Sequence, residues 1–72
     1  MMLSQSKQGK YTVISLPNGR NVRHKLNIMG IILESTIEVT MNKKYYPMVI
    51  KVGNSTLSIG RGIASKIIVK PL

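Results

Sequence analysis

Apolar and polar residues alternate along several short stretches of this chain, which is the pattern of half-buried β-strands. The clearest stretch is 36–41, where Ile37, Val39 and Met41 point to one face and the residues between them to the other. Four more short runs, rich in β-branched and other apolar residues, predict four more strands. They lie at 10–16, 48–52, 56–59 and 67–69.

One segment between the first two predicted strands follows the helical period instead. Val22, Leu26 and Met29 recur at spacings of four and three residues, so they share one face of a short helix. Asn21 could cap this helix. Gly30 follows directly, at the position where a residue with positive φ ends a helix.

Turn signals separate these elements and indicate the fold. Pro17-Asn18-Gly19 predicts a turn after the first strand, and Gly53-Asn54 predicts a two-residue hairpin. Segment 60–66 contains two glycines and predicts a single helical turn before the last strand. Strands this short leave unpaired edges unless the sheet curls shut. The pattern therefore predicts a mainly β fold, a small five-stranded SH3-like barrel with one short helix between strands 1 and 2.

The chain of 72 residues is the size of one domain, and it contains no cysteine that could form a disulfide. Stability must therefore come from aliphatic packing. Residues 1–8 are mostly polar and, Leu3 apart, are expected to be a loosely ordered N-terminal segment, whereas 9–72 form the barrel domain.

The charge balance is strongly basic, with 11 Lys and Arg against two Glu and a net charge of +9. A field of this sign attracts acidic protein surfaces, anionic membranes and nucleic acids. No apolar run approaches the roughly 20 residues that span a bilayer, and the start lacks the apolar core of a signal peptide. We therefore expect a cytoplasmic protein that could lie peripherally at the inner membrane.

Candidate catalytic and metal-binding residues are few. Fe(II) sites combine imidazole with carboxylate, and His24, Glu34 and Glu38 are the only such side chains. His24 stands between Arg23 and Lys25, which repel cations, so we expect no tight intrinsic metal site. Neither glutamate has a visible acid–base partner, and the chain has no phosphate-binding P-loop. We therefore expect no enzymatic activity and no cofactor.

The order of several motifs resembles the ferrous iron transport protein A (FeoA) family. Segment 25–31 resembles its R-L-x-x-L-G segment, 37–39 its I-x-V strand, and 47–53 its Pro-led strand ending in Gly. Segment 57–67 resembles its closing segment, with an Ala before the last strand. The resemblance implies structural roles for Gly9, Gly30, Pro47, Gly53, Gly60 and Ala64. Two positions depart from the family: Lys25 replaces an Arg, and Leu33-Glu34 replaces a Pro-Gly turn.

This resemblance implies an SH3-like barrel that serves as an accessory protein of ferrous iron uptake. Its partner would be the membrane transporter FeoB, through the transporter's cytosolic region or GTPase domain. The family's link to a transition metal does not require an iron site in this chain. The same fold forms the C-terminal domain of some iron- or manganese-dependent repressors.

Three groups of surface residues are the candidate partner-binding sites. Basic side chains surround the helix, and a loop combines lysines with tyrosines, a mixture common at interfaces. Three consecutive apolar residues, 31–33, cannot all face a small core, so at least one is expected to be exposed, and an exposed apolar residue ringed by charge is a candidate docking contact. The candidate residues are Arg23, Lys25, Ile31, Leu33, Lys43, Lys44, Tyr45 and Tyr46. Two alternatives remain open, a basic barrel that binds nucleic acid through the same loop and a repressor-type regulatory domain.

Overall fold

The computed structural model describes residues 1–72. Five strands form one antiparallel sheet, and one nine-residue helix lies between the first two strands. The predicted mainly β, SH3-like fold is confirmed. The strands are β1 (Gly9–Ser15), β2 (Thr36–Met41), β3 (Met48–Val52), β4 (Ser55–Ile59) and β5 (Ile68–Pro71). The helices are α1 (Arg20–Ile28), the single turn α2 (Arg61–Ala64) and an N-terminal 3₁₀ turn (Leu3–Gln5).

The sheet is open, with the strand order β4-β3-β2-β1-β5. The predicted closure into a barrel is therefore not complete, because β4 and β5 do not pair. The N-terminal segment instead covers the free edge of β5. The Met1 ammonium donates to the Val69 carbonyl at 2.9 Å, the Val69 N–H donates to the Met1 carbonyl at 2.8 Å, and the Leu3 N–H donates to the Ile67 carbonyl at 2.8 Å.

The expectation that residues 1–8 are loosely ordered is wrong. Leu3 is fully buried in the core, and Ser6 is buried with its hydroxyl donating to the Leu3 carbonyl at 2.6 Å. The physical reason is twofold: an apolar side chain fills the end of the core, and backbone groups of β5 gain partners that no other strand supplies. The packed domain thus includes the N-terminal segment.

The core is a single cluster of 14 apolar residues enclosed by the curled sheet, the helices and the N-terminal turn. The alternation in β2 is realised, with Ile37 and Val39 buried. A register shift after Val39 leaves Met41 only half-buried. The cluster comprises Leu3, Tyr11, Val13, Leu16, Leu26, Ile31, Ile37, Val39, Met48, Ile50, Ile59, Ala64, Ile67 and Val69.

Helix α1 begins one residue before the predicted cap. Gly19 is the residue that precedes the helix, and its carbonyl accepts from the Arg23 N–H at 3.0 Å, so Asn21 lies inside the first turn and caps nothing. Leu26 is buried on the predicted apolar face. The chain enters the helix early because Gly19 adopts a φ of 119°, which turns the backbone directly after Pro17-Asn18.

The end of α1 is the predicted one. Gly30 has a φ of +83°. Its N–H donates to the Asn27 carbonyl at 3.0 Å, and the Ile31 N–H donates to the Leu26 carbonyl at 2.8 Å. This pair of bonds is a Schellman motif. Such a motif usually includes an apolar contact between two of its positions, which are occupied here by Ile31 and Leu26. The cap therefore directs Ile31 into the core.

Candidate protein-interaction surface

The loop between β2 and β3 (residues 42–47) is held in place by one arginine. Arg61, the first residue of α2, is half-buried and points its guanidinium under this loop. Nη1 donates to Asn42 Oδ1 at 2.7 Å and to the carbonyls of Lys43 and Tyr46, each at 3.2 Å. Nη2 donates to the Ser4 carbonyl at 3.0 Å. The planar fork of donors is what allows one side chain to join these segments.

Asn42 completes this network from the other side. Its amide Nδ2 donates to the carbonyls of Ser4 at 3.1 Å and Ser6 at 2.7 Å. The N-terminal segment, the β2–β3 loop and α2 are therefore cross-linked by side chains that all bond to backbone oxygens. Since Arg61 is committed to these oxygens, its guanidinium does not serve as an anion-binding group.

The glycine on the N-terminal side of Arg61 does not have the structural role implied by the family resemblance. Gly60 has a φ of −65°, which any residue adopts, and a Cβ built there meets no atom within 4 Å. By contrast, Gly9, Gly30 and Gly53 all have positive φ, and Ala64 is fully buried.

The β2–β3 loop presents two aromatic and two cationic side chains to solvent. Tyr45 is 84% exposed and Tyr46 is 60% exposed, and Lys43 and Lys44 are also exposed. Lys44 Nζ lies 5.3 Å from the centroid of the Tyr45 ring, within cation–π range. Neither tyrosine folds back over the end of the sheet. The loop is thus a projecting aromatic and basic surface on an anchored backbone.

A second exposed cluster follows α1, but its membership differs from the prediction. Ile31 is fully buried, so its assignment as a docking residue is wrong; the Schellman motif turns it inward. Ile32 and Leu33 are 47% and 52% exposed. Ile28, which is not among the predicted docking residues, is 73% exposed. Its signal was available, because Ile28 falls outside the helix face made by Val22, Leu26 and Met29.

Two basic residues of α1 were also candidates for partner binding, and both are exposed. Arg23 Nε donates to the Pro17 carbonyl at 3.1 Å, so this side chain also ties the helix to the preceding turn. Lys25 has no such bond. The two candidate clusters thus differ in character: one is basic and aromatic, and the other is apolar beside basic residues.

The three candidate metal-ligating side chains lie in different parts of the fold. His24 lies on α1, Glu34 in the turn before β2 and Glu38 within β2. No group of three His, Cys, Asp or Glu residues is placed to hold a metal ion. Glu38 is paired across the strands with Lys10 on β1 and Lys51 on β3. No helix is both long and apolar enough to cross a membrane.

Comparison with protein families decides the family of this sequence. The model of the FeoA domain matches residues 1–71. The chain belongs to the FeoA domain family. The identification made from the motifs is therefore confirmed, and membership gives the chain a role in ferrous iron uptake. The FeoA family consists of small accessory domains associated with FeoB transport and is not a known enzyme family. Comparison with curated proteins finds no match.

Solved structures with the same fold include FeoA proteins and metal-dependent repressors. An iron uptake regulatory protein (FeoA) of known crystal structure shares 34% sequence identity with this chain, with a TM-score of 0.93. The match covers 100% of this chain and 97% of that one. A FeoA-like protein from Clostridium acetobutylicum is 25% identical, with a TM-score of 0.82, over 100% and 86% of the two chains. A manganese-dependent transcriptional repressor is 19% identical, with a TM-score of 0.89, over 100% of this chain and 41% of the repressor. The last likeness concerns the fold alone.

Proposed function

We propose that this FeoA-family protein is a non-enzymatic, cytoplasmic accessory factor that binds the cytosolic region of a FeoB-type ferrous iron transporter. The observation that carries the proposal is the β2–β3 loop, in which Lys43, Lys44, Tyr45 and Tyr46 project from a backbone anchored by Arg61. Exposed aromatic residues are frequent binding anchors at protein interfaces.

Anchoring of the loop favours binding for an energetic reason. The free energy of binding becomes less favourable when a mobile loop must be ordered at the interface. Hydrogen bonds from Arg61 to two loop carbonyls hold the loop before the partner binds, so they reduce this cost. The two lysines add a different benefit. Cations at the rim of an interface accelerate encounter with an acidic surface, and this acceleration weakens with salt.

Modulation of the transporter would then follow from a difference in the affinity of this protein for two states of the transporter. A domain that binds one state of the transporter more tightly than another shifts the transporter toward that state, whether or not it carries chemistry of its own. The net charge of +9 also favours accumulation beside the anionic inner leaflet, near the membrane-embedded partner.

The test measures binding of the purified protein to the full-length transporter in nanodiscs of neutral lipid. The double variant Lys43→Glu with Lys44→Glu should slow association by about tenfold at low salt and reduce its salt dependence. Its stability should change by no more than about 0.5 kcal/mol, because both side chains are exposed.

A matched control variant separates the effect of the two loop charges on association from the effect of the overall net charge. Lys7→Glu with Lys70→Glu makes the same change in net charge at two exposed positions outside the loop. This control should slow association much less than the loop variant. Equal effects of the two double variants on association, or no effect of either, would show that the loop is not part of the interface. Ile28, Ile32 and Leu33 would then be the candidate binding surface. Retention of the protein on RNA in place of the transporter would support the nucleic-acid alternative.

A further inference from the structure

The edge of β4 is the uncovered edge of the sheet. The outer edge of β5 is bonded to the N-terminal segment through Met1 and Leu3. In contrast, no backbone hydrogen bond joins β4 to any segment other than β3. An edge strand presents unpaired N–H and C=O groups that can pair with another extended chain.

The hairpin geometry identifies which residues present these groups. Gly53 has a φ of +59° whereas Asn54 does not have positive φ, which corresponds to a two-residue type II′ turn. Such a turn closes on a hydrogen-bonded pair, here Val52 with Ser55. Hydrogen-bonded and non-bonded pairs then alternate along the ladder. The N–H and C=O groups of Thr56 and Ser58 therefore point away from β3.

Nothing in β4 protects this edge against pairing. Natural edge strands are usually blocked by charged side chains, proline or a β-bulge. The sequence of β4 is Ser-Thr-Leu-Ser-Ile, with no charge and no proline. Its register with β3 is unbroken over all five residue pairs. Thr56 and Ser58 are exposed and small, so an incoming strand meets no steric obstacle from them.

The charges beside this edge indicate what it binds. On the outer face of the sheet, Lys10, Glu38, Lys51 and Thr56 stand opposite one another on successive strands, from β1 to β4. The charges alternate in sign along this row and end at the uncharged Thr56. Neighbouring strands lie about 4.8 Å apart, so the long Lys51 side chain can reach across Thr56 toward the next strand.

We propose that the β4 edge binds an extended acidic segment of a partner protein by strand addition. Carboxylates of the segment lie opposite Thr56 and Ser58, where the first of them continues the alternating row beyond Lys51. The residue between them faces inward beside the half-buried Leu57 and is apolar. The recognised pattern is therefore acidic–apolar–acidic, with main-chain hydrogen bonds to Thr56 and Ser58.

Charge disfavours a second copy of this chain as the occupant. Two copies would each bring a net charge of +9, and β4 contains no carboxylate to meet the Lys51 of the other copy. The inference is independent of the β2–β3 loop, because it concerns a different strand and its test uses a peptide without the transporter. Its failure would leave the proposed function standing.

The experiment measures amide hydrogen exchange by NMR on the ¹⁵N-labelled protein. The probe is an acetylated and amidated octapeptide of alternating glutamate and valine. At saturating peptide, the exchange of the Thr56 and Ser58 amides should slow by about tenfold or more, and the affinity should fall with salt. Unchanged exchange at these two amides would overturn the proposal, as would protection that appears without peptide when the protein concentration is raised.

Control peptides test separately the main-chain hydrogen bonding of strand addition and the requirement for acidic side chains. Two peptides of the same sequence carry N-methyl groups on alternate residues, one on each edge of the extended peptide. Each keeps the charge but loses the hydrogen-bond donors on its methylated edge. The peptide methylated on the edge that faces β4 should lose binding. A lysine–valine octapeptide should also fail to protect Thr56 and Ser58. Equal protection by the lysine peptide, or full binding by both N-methylated peptides, would contradict the proposal.

Two variants test the edge itself. Thr56→Glu should weaken binding of the acidic octapeptide by about tenfold through like-charge repulsion. Thr36→Glu is the matched control, since Thr36 is an exposed threonine on β2 and the change in charge is the same. Ser58→Pro removes an outward N–H at an edge position that tolerates proline, and it should also weaken binding. Equal weakening by Thr36→Glu and Thr56→Glu would refute an edge-specific site.

Discussion

Replacement of Gly30 by alanine should destabilise the protein because two unfavourable effects coincide at this residue. Its φ of +83° lies in the left-handed region, where an L side chain costs about 1–2 kcal/mol. A Cβ at this position would also lie 3.1 Å from Val52 Cγ1. The favourable separation between carbon atoms is about 3.5–4.0 Å, so Val52 or the helix end must move.

The combined effect is expected to be about 2 kcal/mol, of which backbone strain supplies the larger share. For a domain of this size, about 1 kcal/mol shifts the melting temperature by about 4–8 °C. Gly30→Ala should therefore lower the melting temperature by about 8–16 °C. Circular dichroism during heating measures this shift, and urea unfolding gives the corresponding change in midpoint at constant slope.

Two further variants divide the effect into its parts. Gly62→Ala is the matched control, because Gly62 lies in α2 with ordinary φ and open space around a Cβ, and it should stabilise the protein by about 0.5–1 kcal/mol. Combining Gly30→Ala with Val52→Ala relieves the contact but not the strain, so the coupling between the two changes isolates the contact. A Gly30→Ala protein as stable as the wild type would refute the left-handed helix end.

Two other predictions concern the network and the turn that precedes β2. Glu34 has a φ of +69° at the position where the resemblance places the glycine of a Pro-Gly turn, so Glu34→Gly should raise stability by about 0.5 kcal/mol in urea unfolding. Glu34→Ala should not do so, and equal gains from both variants would show that charge rather than φ is responsible. Arg61→Ala removes four hydrogen bonds and should lower the free energy of unfolding by about 2–3 kcal/mol while amide exchange in 43–46 accelerates. Arg61→Lys should recover little of this loss, because an ammonium cannot reproduce the planar fork, and full recovery would contradict the network.

Local signals in the sequence determined the elements of this protein and its family. Alternation at 36–41 predicted β2 because side chains of a strand point to opposite faces, whatever lies around it. Gly30 predicted the end of α1 because only glycine adopts positive φ without strain. The Gly53-Asn54 pair predicted the β3–β4 hairpin for the same reason. These rules act within a few residues of chain, so a sequence alone can display them.

Tertiary structure alone decided which surfaces face solvent and how they are held. Segment 1–8 reads as polar, yet Leu3 is buried because the edge of β5 and the end of the core accept it. Ile31 and Ile32 are identical in type and adjacent, but the helix cap turns Ile31 inward and leaves Ile32 half exposed. Arg61 lies 18 residues from Lys43 along the chain, and nothing local indicates that it anchors the β2–β3 loop. Such pairings depend on how the strands curl and where distant backbone carbonyls come to lie, which only the packed chain determines.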